Sequence, residues 1–483
     1  MAKNRIDRRE IQKAPTGIPG LDDITFGGLP KGRPTLVSGG PGSGKTLLGV
    51  SFLVNGAQQF DEPGVLITFE ENADELADDV RSLGYDLDKL VEQKKLLVDY
   101  IHVDRSEIEE TGEYDLEGLF VRLEHAIKEI GAKRVMLDTI ETLFGGLQDT
   151  GILRAELRRL FRWLRDHKIT AVVTAERGEQ MFTRQGLEEY ITDAVISLDH
   201  RVHEQISTRR IRVVKYRGST HGTNEYPFLI DRDGITVLPV TSMLLQHEAP
   251  SERVSSGLPA LDEMLGGKGF YRASTVLLSG TAGSGKTTLS AHFVNAACAR
   301  GEKCLYFLFE ESPQQMIRNM RSAGVDVQKW VEKGLLQFHA DRPSRFGLET
   351  HLLQMHQAVE LADPDVVVMD PITNLMAVGT TTDVRAMLTR VIDFLKTRGV
   401  TAMFTSLTST TQSLEHTESM ISSLMDTWIL VAVSEQERRR DRLICVLKSR
   451  GMPHSDEVRS FRFTNRGIEL LPARKARAKR RKS

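Results

Sequence analysis

The stretch TGIPGLDDITFGGLPKGRPTLVSGGPGSGKT, running from Thr16 to Thr46, returns as SGLPALDEMLGGKGFYRASTVLLSGTAGSGKT from Ser256 to Thr287. A repeat whose period approaches half the chain means that one fold is built twice, each copy long enough to bury its own core. Three further landmarks follow in the same order in each half. An apolar strand ends in two glutamates (LITFEE to Glu71, LYFLFEE to Glu311), a second ends in aspartate (RVMLD at Asp138, VVVMD at Asp370), and a basic strand runs into glycine (VKYRG, LKSRG). The boundary is placed in the polar stretch between Pro239 and Ser251, giving domains 1–245 and 246–472 and a basic, disordered tail 473–483.

Short Val/Ile/Leu-rich runs alternate with amphipathic segments such as GILRAELRRLFRWLRDH, whose apolar residues recur at helical spacing. Continuous apolar strands between helices predict an α/β fold in each half, a mostly parallel sheet buried on both faces by flanking helices.

GGPGSGKT (Gly39, Gly42, Ser43, Gly44, Lys45, Thr46, then Leu47) and GTAGSGKT (Gly280, Gly283, Ser284, Gly285, Lys286, Thr287, then Thr288) both fit the P-loop pattern between a strand and a helix. The glycines let backbone N–H groups face ATP phosphates, the lysine reaches the β- and γ-phosphates, and the threonine hydroxyl suits Mg2+. One match could be a chance glycine-rich turn; two at homologous positions cannot. Asp138 and Asp370 each close a strand beside a P-loop, where a carboxylate can hold Mg2+ directly or through water. Glu70 with Glu71, and Glu310 with Glu311, are candidate catalytic carboxylates, one accepting a proton while its neighbour's charge keeps it basic. The competing readings are a helix cap for the aspartates and solvated loop side chains for the glutamates. Lys215 with Arg217, and Lys448 with Arg450, alternate along a strand. Such pairs are either an ordinary charged face or, projected across a subunit boundary, a means of stabilising charge on a γ-phosphate.

These motifs, with the GLPxLD-type lead-in and the K-x-R-G-x-x-H strand endings at His221 and His454, resemble the KaiC family of RecA-like ATPases and autokinases from about Thr16 to about Leu471. The resemblance implies two tandem RecA-like P-loop NTPase domains in a homohexamer with ATP at subunit interfaces. It implies slow ATP hydrolysis through Glu70 and Glu71, and Ser/Thr autophosphorylation and its reversal in the second copy through Glu310 and Glu311. Ser82, Ser219 and His221 become further nucleotide contacts, and Ser422 and Ser423 become the phosphorylation sites, with Thr417 and Glu418 nearby. Taken without the resemblance, the serine- and threonine-rich stretch TSLTSTTQS reads as a polar loop.

There are departures. The phosphosite pair is Ser-Ser rather than Ser-Thr, Ala323 stands where a tryptophan often flanks the base, and Pro371 replaces a serine after the strand aspartate. The resemblance implies a KaiB-like partner, but the short tail ARKARAKRRKS replaces the family's KaiA-binding end, so KaiA is not expected.

Composition narrows the alternatives. No run of about 18 apolar residues offers a membrane span. The charged start MAKNRIDRRE, with no apolar stretch before Pro15, argues against a secretory signal and for a cytoplasmic location. Cys298, Cys304 and Cys445 lack metal-ligand spacing and read as reduced, buried thiols. The chain has 64 basic against 66 acidic residues, and seven basic residues fall in the tail, so the folded body is acidic. That counts against nucleic-acid binding and a DNA-dependent motor. No H-R-D with D-F-G kinase signature is present. A nucleotide-switched scaffold with ATPase but little kinase activity is the remaining alternative.

Overall fold

A computed structural model of the chain describes residues 11–101, 116–144, 150–178, 192–203, 206–232, 234–239, 250–408, 421–436 and 439–472. It divides into two compact units, Met1–Ser242 and Met243–Ser483. Thr417, Glu418 and the tail lie outside the described residues.

The first unit is organised by a nine-stranded sheet. In chain order its strands are β1 (Pro34–Gly39), β2 (Gly64–Thr68), β3 (Leu96–Tyr100), β4 (Arg134–Asp138), β5 (Thr170–Glu176), β6 (Ala194–His203), β7 (Ile206–Tyr216), β8 (Glu225–Asp231) and β9 (Gly234–Val237). Across the sheet they run β9-β8-β7-β6-β1-β5-β4-β2-β3. From β6 to β3 all neighbours are parallel, and β6 to β9 are joined antiparallel. The second unit repeats this plan with β10 (Thr275–Gly280), β11 (Cys304–Leu308), β12 (Leu336–Ala340), β13 (Val366–Asp370), β14 (Thr401–Leu407), β15 (Thr427–Gln436), β16 (Arg439–Ser449), β17 (Arg459–Thr464) and β18 (Gly467–Leu470). Their order is β18-β17-β16-β15-β10-β14-β13-β11-β12, the same topology.

The apolar runs explain why the sheet is covered twice. Successive strand residues point to opposite faces, so a strand apolar throughout needs a partner on each side. In the first unit Val37, Leu66, Met136 and Val172 pack with the P-loop helix α1 (Lys45–Gln59). Their neighbours Leu36, Val65, Leu137 and Val173 pack on the other face against α3 (Glu117–Ile130) and α4 (Thr150–Asp166). A short α2 (Ala73–Arg81), capped by Asn72, follows the glutamate pair. The corresponding helices of the second unit are α5 (Lys286–Ala299), α6 (Pro313–Ser322), α7 (Leu348–Ala362) and α8 (Thr381–Thr397). Cys298 and Cys304 are buried with their sulfurs 3.5 Å apart, whereas Cys445 is only half-buried.

Candidate nucleotide sites

Each P-loop connects the first strand of its nine-stranded sheet to a helix that begins at the motif lysine. Gly44 and Gly285, the N-cap residues, have φ of 96° and 110°, a left-handed geometry that favours glycine. Neither helix has a side-chain cap, which leaves its first N–H groups available to an anion. A Cβ at Gly42 or Gly283 would meet nothing within 4 Å, so the mouth of each loop is open. At Gly39 and Gly280 a Cβ would collide with the Ser43 hydroxyl and the Val431 carbonyl respectively, so the base of each loop is closed.

Lys45 Nζ donates to the Gly39 and Gly40 carbonyls at 2.9 and 3.1 Å, and Lys286 Nζ to Gly280 and Thr281 at 2.7 and 2.9 Å. The ammonium is thus folded back over its own loop. The buried hydroxyls of Ser43 and Ser284 find no protein partner. A buried polar atom left unmatched at the same position of both loops fits a phosphate-binding site. Leu47 and Thr288, in the first turn of each helix, are buried.

Parallel strands bring the carboxylates to the same edge of the sheet, where open α/β sheets bind ligands. Asp138 ends β4 in register with Thr68 of β2, and Asp370 ends β13 in register with Leu308 of β11. The peptide bond after each aspartate is cis. Asp138 accepts a hydrogen bond from the hydroxyl of Thr174, and burial pushes its pKa up against the lowering effect of Thr174 and Thr46. Asp370 accepts from Thr405 and, at 2.8 Å, from the hydroxyl of the wholly buried Tyr306. Among the described residues no group of three or more His, Cys, Asp or Glu is placed to hold a metal ion by itself. The donor set, one hydroxyl and one carboxylate beside a phosphate cradle, therefore fits Mg2+, which keeps several waters and takes few protein ligands.

The glutamates are held differently in the two copies. Glu70 Oε1 accepts from both Thr139 and Thr142 at 2.8 Å. Glu71 is exposed overall, but partial burial of its carboxyl, then Asp79, Asp138 and Glu70, raise its pKa above the ordinary glutamate value. Glu310 Oε1 accepts from Asn374 at 3.1 Å, and Glu311 Oε2 from Asn319 of α6 at 3.1 Å. A pocket of about 310 Å³ opens beside this pair, with Asp341, Arg342 and Arg345 on its wall.

The basic pairs make local bonds rather than reaching a P-loop of their own copy. Lys215 Nζ donates to the Thr192 carbonyl at 2.7 Å, and exposed Arg217 follows it beyond the strand. Lys448 Nζ donates to the carbonyls of Ser422 and Met425 at 3.0 and 2.9 Å, and Arg450 to that of Ser423 at 2.7 Å. Burial, then the Arg450 charge, lowers the Lys448 pKa. Ser422 is buried and Ser423 exposed. Ser219, His221 and Ser82 also make short-range contacts, to Thr220, Gly222 and Asp79.

Sequence reasoning missed the layer behind the carboxylates. Thr139, Thr142, Thr174, Asn374 and Tyr306 carry no motif, although a tyrosine inside the apolar run LYFLF was a usable signal, since a buried hydroxyl needs a partner.

A family model described as "ATPase: KaiC" matches twice, over residues 14–242 and 254–475. Among similar curated proteins is the circadian clock protein KaiC2 of Synechocystis sp., 53% identical over 463 residues, covering 95% of this chain and 82% of that protein. The circadian clock oscillator protein KaiC of Parathermosynechococcus lividus is 37% identical, covering 96% and 86%. That of Synechococcus elongatus is 36% identical, covering 97% and 90%.

Proposed function

The chain belongs to the KaiC family of ATPases, and on that premise we propose that it is an ATP-hydrolysing Ser/Thr autokinase and autophosphatase, working as a homohexamer in clock or stress signalling with a KaiB-like partner. The observation that carries the kinase reading is the grip of Lys448 and Arg450 on the backbone carbonyls of Ser422, Ser423 and Met425. A basic pair suited to γ-phosphate charge is thereby tied to the backbone of the segment that carries the two serine hydroxyls.

In the first copy Glu70 is committed to two threonine hydroxyls, leaving Glu71, with its raised pKa, as the group that takes a proton from the attacking water. In the second copy the attacking oxygen is a serine hydroxyl presented to a neighbouring subunit's nucleotide. The new bond joins serine Oγ to the γ-phosphorus, the bond from that phosphorus to the β,γ-bridging oxygen breaks, ADP leaves, and Glu310 takes the serine proton. Lys45 and Lys286 turn from their carbonyls to the phosphates. Thr46 with Asp138, and Thr287 with Asp370, would hold Mg2+, which would supply neutralisation of phosphate charge. Lys215 and Arg217, with Ser219 and His221, serve the neighbouring subunit's first-copy nucleotide, and Ser82 its own. The domain limits 1–245 and 246–472 separate the two activities.

Labelled ATP with mass-spectrometric site mapping tests this. Label is expected on the wild type and absent from Ser422→Ala/Ser423→Ala, with exposed Ser423 carrying the larger share. Label unchanged by the double substitution would contradict the site; no label on the wild type would leave an ATPase without kinase activity.

A further inference from the structure

We infer that Phe463 is the platform on which the base of the second-copy nucleotide stacks. The inference rests on the reading of that site as an ATP site, and it adds the element that recognises the base. Phe463 lies on β17, whose Phe-Arg-Phe run puts Phe461 and Phe463 on one face of the sheet. Both rings are directed at the start of α5. A Cβ at Gly285 would stand 3.1 Å from Phe463 Cζ and 3.4 Å from Phe461, so the aromatic pair forms a wall against the phosphate loop.

The two rings differ. Phe461 is buried, and the Phe461–Phe463 pair is edge-to-face with centroids 6.1 Å apart. Phe463 is 37% exposed, although the Arg442 guanidinium packs 4.6 Å from its centroid. An apolar ring left open to solvent beside a phosphate-gripping loop is unusual placement for a core residue, and it is what a flat heterocycle requires. The same hairpin also supports the neighbouring turn, since a Cβ at Gly324 would stand 2.5 Å from the Gly467 nitrogen. Ala323, in that turn, offers only a methyl group, so Phe463 is the aromatic group this wall presents. In the first copy Phe228 keeps the place of Phe461, 3.8 Å from a Cβ at Gly44, but the nearer residue, in the place of Phe463, is aliphatic: Ile230 Cδ1 would stand 2.9 Å away. The two copies therefore present different surfaces to a base.

Calorimetric titration of the full chain with ATP and with inorganic tripolyphosphate separates base from phosphate recognition. It is done with Lys45→Ala, which silences the first copy, and again with Lys45 intact. Phe463→Ala is expected to weaken second-copy ATP binding about five- to tenfold, as loss of a stacked aromatic contact does. Tripolyphosphate affinity should stay within about twofold of the parent, since that ligand has no base to stack. Phe463→Leu, which keeps the apolar bulk, should behave like the alanine variant, and Phe463→Tyr should bind like the parent. If ATP and tripolyphosphate weaken together, or if leucine restores ATP binding, the ring only props the loop and the inference falls. If the parent's second copy binds neither ligand, the ATP site itself falls with it.

Discussion

The two copies share a topology and a P-loop, yet tie the strand-end aspartate to the P-loop helix in different ways. Asp138 accepts from Thr174, and the Thr46 hydroxyl at the start of α1 lies near enough to lower its pKa. Asp370 is bonded to Thr405 and to Tyr306, whose hydroxyl in turn meets Ser290 of α5 at 2.6 Å. The places of Tyr306 and Ser290 are taken in the first copy by Leu66 and Gly49, and a Cβ at Gly49 would run into the Met136 side chain. The first copy does have a tyrosine–serine pair, Tyr85 with Ser51 at 2.7 Å, placed elsewhere in the core. Both exchanges make the first-copy residue smaller, with the Met136 side chain against Gly49, and they leave the first copy without the hydroxyl that reaches the carboxylate in the second. A duplicated motif fixes the loop and leaves its supports free to diverge.

The largest break in this comparison is expected at the glutamates. With Lys286→Ala silencing the second copy, Glu71→Gln should lower ATP turnover by about 10²- to 10⁴-fold, the usual contribution of a general base. A base works only when deprotonated. Because the Glu71 pKa is raised by burial and neighbouring carboxylates, first-copy turnover should begin to fall at a higher pH than an ordinary glutamate with its value of 4.5 would dictate. A rate profile flat down to that ordinary value, or a Gln variant with full turnover, would remove Glu71 from the role.

Next in size are the lysines. Lys45→Ala and Lys286→Ala should each weaken triphosphate binding by about 2–5 kcal/mol in their own copy, the cost of truncating one partner of a desolvated charge pair. Binding stoichiometry read copy by copy checks this. Loss at both copies from either substitution would mean that the two sites fill as one.

The fold was legible because its signals are repeated and periodic. Apolar runs closed by Glu-Glu or Asp, each followed by helical spacing, dictate parallel strands whose ends converge on the P-loop, and Lys45, Lys286, Asp138 and Asp370 stand there. What lay beyond reach was the set of partners chosen by three-dimensional register. Nothing in the spacing of Thr139, Thr142 and Glu70 tells that they meet, because Glu70 follows β2 and the threonines follow β4, 69 and 72 residues further along the chain. Alternation predicts that each basic pair shares a strand face, but Arg450 lies just past the end of β16 and the bonds from Lys448 and Arg450 to Ser422 and Ser423 depend on the turn that precedes β15. Phe463 escaped notice for the same reason: its chemistry comes from Gly285, far back in the chain.

The finest test addresses the tyrosines. Tyr306→Phe removes a donor from a buried carboxylate, and hydrogen bonds to charged groups contribute about 1.5–3 kcal/mol. Tyr85→Phe removes a hydroxyl that meets the neutral Ser51 hydroxyl, where about 0.5–1.5 kcal/mol is at stake. Denaturant unfolding of the nucleotide-free chain, followed separately in the two units, should therefore show the larger loss in the second unit with Tyr306→Phe. The same substitution should slow second-copy phosphoryl transfer while leaving first-copy hydrolysis unchanged, since Asp370 would keep only Thr405 to orient it. Equal losses from the two tyrosines would mean that the hydroxyl of Tyr306 serves packing alone and that the two aspartates are supported to the same degree.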